Sequence, residues 1–268
     1  MSVLGHADRV RPFEDYCIGL LSAEGRKSVE PLAAVTAPER TAAQHQSLLH
    51  VVAQAAWSDA AILRRVRERI LPSITRAEPL QAWIIDDTGF PKKGCHSVGV
   101  TRQYCGQLGK QDNCQVAGSL PVAWRLYLPK DWADDPVRRS KAGVPADLRF
   151  QTKPEIALQQ MRPALADGVP PAVARMDPAY GSDSKLRAGM SELGLPYAAG
   201  ILSTTTIWRP GEAALPPARR SGSGRPAKRP RRPPAHHPVS AKALAMELAP
   251  EAWQQIEWRQ GTAEPDHY

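Results

Sequence analysis

In the first part of the chain, apolar residues recur at the spacing of a helix face. The stretch "SLLHVVAQAAW" carries Leu48, Leu49, Val52, Ala55 and Ala56, and Ser58 or Asp59 then stands where an N-cap is expected, ahead of "AAILRRVRERIL". In that second stretch Ile62, Leu63, Val66 and Ile70 share one face, while Arg64, Arg65, Arg67 and Arg69 lie elsewhere around it. Those arginines suit a phosphate-contacting surface, and they suit an ordinary solvated helix face as well. Residues 1–78 read as a helical region.

From Leu80 the pattern shortens to apolar runs broken by Gly and Pro. "AWIID", "HSVGV", "CQVAGSL" and "VAWRLYLP" read as successive strands, the last with the alternation of a half-buried strand. "KPEIALQQMRPAL" then shows helical spacing through Ile156, Leu158, Met161 and Leu165, followed by "PAVARMD" as strand, "SDSKLRAGMSELG" as helix and "PYAAGIL" as strand. Strand, helix, strand, helix, strand is the order of a layered α/β sheet with helices on its faces, here over residues 79–205. That order ends near Thr206. Residues 206–238 are proline-rich, glycine-spaced and basic, the composition of a disordered loop, and residues 239–268 hold enough pattern for one helix and one strand.

Charge changes this picture at one place. Of a net charge of +8, all arises between Glu212 and Glu247, where eight lysines and arginines, among them Arg225, Lys228, Arg229, Arg231 and Arg232, face no acidic residue. A basic excess concentrated in this way points to a polyanionic partner or to the solvation of a flexible segment. Four cysteines, Cys17, Cys95, Cys105 and Cys114, form no CxxC pair and read as reduced thiols. No apolar run approaches the length needed to cross a bilayer, and the N-terminus lacks the order of a secretory signal, so the expectation is a soluble, cytoplasmic protein.

Two places carry candidate chemistry. The apolar run Trp83–Ile84–Ile85 ends in adjacent carboxylates, Asp86 and Asp87, followed by Lys92 and Lys93. Two neighbouring negative charges need a compensating cation, whether a lysine, a metal or water. A second apolar strand ends in Asp177, ahead of a helix whose start is marked by Ser182 or Asp183. Strand ends of open α/β sheets collect ligands and catalytic groups, and two acids delivered there by different strands have the hard oxygen donors that a divalent cation takes. Such a site serves metal-dependent phosphoryl transfer. The plainer alternatives are that Asp177, before Pro178, starts a turn and that Asp87 caps one. Successive strand residues point to opposite faces, so Asp86 and Asp87 reach one site together only if the strand has already ended. Asp86 is favoured. The glycines of "TGFPKKG" and "CGQLGK" match no phosphate loop.

The run "WIIDDTGFPKKGCHSVGVTRQYCGQLGKQDNCQVA", with "LPVAWRLYLPKDWADDPVRRSKAGVP", "FQTKPEIAL" and "DPAYGSDSKLRAGMSELGLPYAAGI", resembles the bacterial insertion-sequence transposases of the DDE superfamily, in particular the group named for insertion sequence seven-hundred-and-one. The resemblance extends from about residue 10 to about residue 262. It implies a ribonuclease-H-like mixed sheet with flanking helices after the helical N-terminal region, and a site in which two aspartates and a distant glutamate bind Mg²⁺ (or Mn²⁺) to cut and join DNA. The family's "DDTG" motif falls on Asp86 and Asp87, one of them the first catalytic and metal-binding aspartate, and the second family aspartate falls on Asp177. Lys92, Lys93, Arg102 and Tyr104 lie in the same motif block as candidate phosphate contacts, beside the arginine-rich segment. DNA is the implied partner, at transposon ends and target, with a homo-oligomer on the DNA allowed for, nucleoid association when bound, and DNA binding as one role for residues 1–78.

Three departures from the family pattern stand out. The connection between "QVAGSL" and "PVAWRLYLP" is short, Pro178 stands where relatives tend to have Ala, and no match to the family's glutamate motif "RWxIERxxQExK" occurs before Tyr268. Glu247, Glu251, Glu257 and Glu264 do not fit that motif. The expectation is a core incomplete at its C-terminus, with residues 239–268 starting a truncated β-rich insertion, and with cleavage impaired by loss of the third acid. The alternative is a DNA-binding remnant without catalysis.

Overall fold

The computed structural model describes residues 3–25, 27–76, 79, 82–120, 123–217, 233, 236–254, 257–260 and 265–267. The chain opens with three helices packed on one another: α1 (Val10–Ser22), α2 (Val29–Thr36) and α3 (Thr41–Ala53). Leu32, Ala33, Leu48 and Ala23 form their core, closed by Tyr16, Leu20 and Val29. The carboxylate of Asp15, buried in this cluster, is satisfied by Gln44 Nε2 at 2.9 Å and by Arg11 at 3.0 Å, as a buried charge requires.

Helix α4 (Asp59–Thr75) starts where its cap sequence says, with the Ser58 hydroxyl accepting the Ala61 N–H at 3.3 Å. It corrects one expectation. Leu63, Arg67 and Leu71 are spaced i, i+4, i+8 and share a stripe, so Arg67 lies inside the packed face and is only 6% exposed. Arg67 and Arg64 both pair with Asp167, just past the end of the helix over Lys153–Ala166, and Arg65 pairs with Glu68. Leu71 packs against the main core. Three of the four arginines thus have protein partners, and Arg67 is unavailable as a phosphate contact.

The main sheet begins with β1 (Ala82–Pro91) and continues with β2 (Thr101–Cys105), β3 (Lys110–Leu120), β4 (Ala123–Leu126), β5 (Val173–Met176) and β6 (Tyr197–Ala199). β3 is the organising strand: antiparallel to β1 along Asp86–Pro91, to β2 at one end and to β4 at the other. β1 continues on its other side into parallel β5 and then β6. Read across, β4–β3–β1–β5–β6 is a ribonuclease-H-like mixed sheet, with β2 an added hairpin strand. The segment "HSVGV" is a turn instead of a strand. Gly99 takes φ +76°, a conformation only glycine adopts freely, and Val100 is buried with its carbonyl accepting the Trp132 Nε1–H at 2.8 Å. Its apolar residues mark a buried corner.

One face of this sheet is covered by α7 (Lys153–Ala166) and α9 (Ser184–Glu192), preceded by the short helices α5 (Lys130–Ala133) and α6 (Pro136–Lys141) and separated by the single turn α8 (Pro178–Gly181). α7 opens with a capping box: the Thr152 hydroxyl accepts the Glu155 N–H while the Glu155 carboxylate accepts that of Thr152. Trp83, Ile85, Ala174, Met176, Met161, Leu186, Met190 and Tyr180 form the core between sheet and helices. On the opposite face, among the described residues, Ile84 is 61% exposed.

Beyond the sheet, β7 (Thr206–Ile207) pairs with β8 (Val239–Ser240), which leads into α10 (Ala241–Glu247); β9 (Glu257–Gln260) and β10 (Pro265–His267) form a separate pair. The Trp208 and His236 rings lie 4.9 Å apart, and Arg209 pairs with Glu247. Residues 218–232, 234 and 235, which include Arg225, Lys228, Arg229, Arg231, Arg232 and most of the expected disordered loop, lie outside the described residues. Among the described residues no helix is long and apolar enough to cross a membrane.

Candidate functional site

Asp86 and Asp177 are brought together by strand register. β1 and β5 run parallel with Ile85 opposite Met176, so the next residue on each strand is an aspartate. Neighbouring strands lie about 4.8 Å apart, and in-register residues share a face. Both aspartates line one open depression of about 650 Å³, together with Ile84, Arg175, Ala198 and Gly200.

Each carboxylate is oriented by a backbone amide. Asp86 Oδ1 accepts the Asp87 N–H at 2.7 Å. Asp177 is the N-cap of α8, its Oδ1 accepting from the N–H groups of Ala179 at 3.0 Å and Tyr180 at 3.3 Å. Pro178 explains that posture: it needs no amide partner at the first helical position and holds Asp177 extended, at ψ 175°. Asp177 is therefore both a turn-starting cap and a lining residue of the depression. Close backbone packing fixes the turn, since a Cβ on Gly181 would overlap the Gly200 carbonyl oxygen.

β1 does not end at Asp86 but runs on to Pro91, so the two adjacent aspartates diverge. Asp87 turns to the helix-covered side, where Lys153 Nζ, on the first residue of α7, forms an ion pair with its Oδ2. The two side chains are 29% and 20% exposed, and the ammonium also stands 5.5 Å from the centre of the Tyr127 ring. The compensating cation for the adjacent acids is thus, on one side, a lysine. Tyr180, almost wholly buried, lies within the field of all three carboxylates: burial first, then the charges of Asp87, Asp86 and Asp177, push its phenol well above the ordinary tyrosine value.

The basic residues of the motif block stand farther off. Lys92 and Lys93 are exposed just past the end of β1, and six residues of strand separate Asp86 from Lys92, about 20 Å. Arg102 is exposed on β2 opposite Asn113. Three residues at the site escaped the sequence reading: Lys153, Arg175 and Tyr180. Arg175 had a signal, being two residues before Asp177 on the same strand and hence on its face. Lys153 and Tyr180 are placed by tertiary packing and had none.

The donor set fits a hard divalent cation in type, two carboxylates with oxygens directed by their backbone bonds. It is incomplete in number: among the described residues no group of three histidines, cysteines or acids is placed to hold a metal.

With this geometry in hand, the comparisons are decisive about kinship. The profile of a family described as DDE superfamily endonuclease matches residues 1–265. The chain belongs to that family. A relative from Microchaete diplosiphon, described as a probable transposase for insertion sequence element IS701, is 30% identical over 207 residues, covering 72% of this chain and 50% of the relative. This DDE chain thus spans about half the length of the curated relative it matches. No solved structure matches it significantly. DDE superfamily endonucleases are generally dependent on divalent metals and act on DNA.

Proposed function

We propose that the chain carries the two-aspartate end of a transposase active site, with Asp86 and Asp177 as the carboxylates that hold Mg²⁺ or Mn²⁺ and Asp87 as their Lys153-anchored neighbour. The observation that carries this reading is the Ile85–Met176 register, which sets Asp86 and Asp177 side by side at one strand end and in one depression. A metal held there supplies charge stabilisation at a DNA phosphate and a lowered pKa for attacking water or hydroxyl. The chain's own residues do the positioning. The backbone amides at 87, 179 and 180 fix one oxygen of each carboxylate, and Lys153 draws Asp87 to the helix side so that three negative charges do not compete for one place.

The described residues offer two ligands, and full cleavage needs a third acid from outside them. DNA attraction has no such requirement. The eight basic residues between Glu212 and Glu247, with Arg225, Lys228, Arg229, Arg231 and Arg232 at their centre, favour phosphate through counterion release, with affinity falling steeply as salt rises. Lys92, Lys93 and Arg102, exposed beyond the carboxylates, are further candidate phosphate contacts. A cytoplasmic location at the chromosome goes with this reading.

The test is nicking of supercoiled plasmid carrying the element's ends, in Mg²⁺ or Mn²⁺, beside Asp177→Ala. The expected result is salt-sensitive DNA binding with little or no nicking. Metal-dependent nicking abolished by Asp177→Ala would support the two carboxylates while refuting the need for a further acid. Nicking that survives both Asp86→Asn and Asp177→Ala would remove these residues from the site.

A further inference from the structure

The depression is lined by a cation, Arg175, that no group among the described residues pairs with. Arg175 sits on β5 between Ile84 of β1 and Ala198 of β6 in register, with its neighbours Ala174 and Met176 turned into the core. It shares the open face with Asp177, two residues on, at about 6–7 Å along the strand. Although Asp86 and Asp177 line the same depression, no hydrogen bond or ion pair engages its guanidinium among the described residues. The floor beside it is small, Ala198 and Gly200, and on its other flank is the exposed Ile84, so among the described residues nothing blocks approach from solvent.

A guanidinium is a planar, permanently charged fork matched to two oxygens of a phosphate. We propose that Arg175 binds a backbone phosphate of the DNA strand presented to Asp86 and Asp177. It is a positioning residue: its charge, one step back along β5, meets the strand where the carboxylates alone would repel it. Lys92, Lys93 and Arg102 lie too far along the sheet to do this. A phosphate contact carries no base information, so the residue sets register and leaves sequence choice to other parts of the protein. The inference rests on the reading of Asp86 and Asp177 as the catalytic end.

The full chain is titrated against a fluorescent DNA duplex by anisotropy, in EDTA and in Mn²⁺, over a salt series, for wild type, Arg175→Gln, Arg175→Lys and Asp86→Asn. Arg175→Gln should weaken binding about tenfold and lower the log–log salt slope by about 0.9, in EDTA and Mn²⁺ alike. Arg175→Lys should restore the slope but only part of the affinity, because the charge remains and the fork is lost. Asp86→Asn should remove only the Mn²⁺-dependent part of the affinity. If Asp86→Asn changes nothing in Mn²⁺ while Arg175→Gln weakens binding, the carboxylate reading fails and the phosphate contact stands. A folded Arg175→Gln chain with wild-type affinity and slope overturns the proposal. Should Gln unfold the chain, Arg175→Lys decides: undiminished affinity shows that no fork contact exists.

Discussion

Lys153 on the first turn of α7 and Asp87 on β1, 66 residues apart in sequence, form an ion pair at the edge of the core. A lysine at a helix N-terminus opposes the macrodipole by about 0.3–1 kcal/mol, so its attraction to Asp87 and Tyr127 has to outweigh that cost. Replacing it with methionine leaves a largely buried carboxylate without its counter-charge. Lys153→Met is expected to lower stability by about 1–3 kcal/mol in urea denaturation at neutral pH, and Lys153→Arg by much less. Equal midpoints for Met and wild type would mean that the pair contributes nothing.

Asp177 has two separable duties. Asparagine keeps an oxygen that accepts the Ala179 and Tyr180 amides; alanine does not. Asp177→Ala should lose about 1 kcal/mol of stability, and Asp177→Asn a few tenths. Both should lose Mn²⁺-dependent DNA binding to the same degree. A calorimetric scan of the two variants beside a binding titration separates cap from ligand.

Gly181 and Gly19 are tight to different degrees. A Cβ at Gly181 overlaps the backbone oxygen of Gly200 at 2.1 Å, whereas at Gly19 it meets the Leu32 Cβ at 2.9 Å, a milder overlap. Gly181→Ala should cost about 3 kcal/mol or more, and Gly19→Ala about 1–2 kcal/mol. Thermal midpoints in that order are the check. A Gly181→Ala chain that melts like wild type would show that α8 and β6 are not in contact.

One expected pH response lies on the alkaline side. Burial, with the three aspartates behind it, raises the Tyr180 phenol, and burial raises Tyr127 too, with Asp131 second. A raised folded value for a group that ionises to an anion gives stability fully present below the unfolded value, near pH 10 for tyrosine, and lost as pH rises beyond it. Denaturation midpoints should therefore fall above about pH 10, less steeply in Tyr180→Phe. A midpoint independent of pH from 9 to 11 would contradict the buried placement of Tyr180 and the partly buried one of Tyr127.

The thiols divide along the same line. Burial, then the nearby Cys105, pushes the Cys114 thiol up to about 11, and Cys105 is itself buried. Cys95 is exposed. Alkylation of the native protein near pH 8 should mark Cys95 first, with Cys105 and Cys114 marked only after unfolding. Prompt native labelling of Cys114 would show that β2 and β3 open readily.

What the sequence made legible was local. Of the cap candidates Ser58 or Asp59 and Ser182 or Asp183, the structure uses Ser58 and Asp183, because a cap is decided within four residues; the Thr152–Glu155 capping box was not read from the sequence. The order of β1, α7, β5, α9 and β6 followed from period and punctuation. The misreadings needed distant partners to correct them. "HSVGV" has the composition of a strand but is pinned as a corner by Trp132 and Gln115. Arg67 has a helix-surface sequence context and a partly buried partner, Asp167, 100 residues on. The division of Asp86 from Asp87 depended on β1 continuing through Thr88 and Gly89, which only pairing with β3 sustains.

The pairing of Ile85 with Met176 also has a consequence in time. The two residues are about 90 positions apart, and at ribosomal speeds of roughly 5–20 residues per second the β1 edge emerges about 5–18 s before its parallel partner exists. Until then Trp83, Ile84 and Ile85 present an apolar, unpaired border on the nascent chain, the kind of surface that recruits chaperones or a neighbouring polypeptide. The aspartate pair consequently cannot assemble until about two thirds of the chain has been made, and how much of it matures depends on how well that early border is guarded.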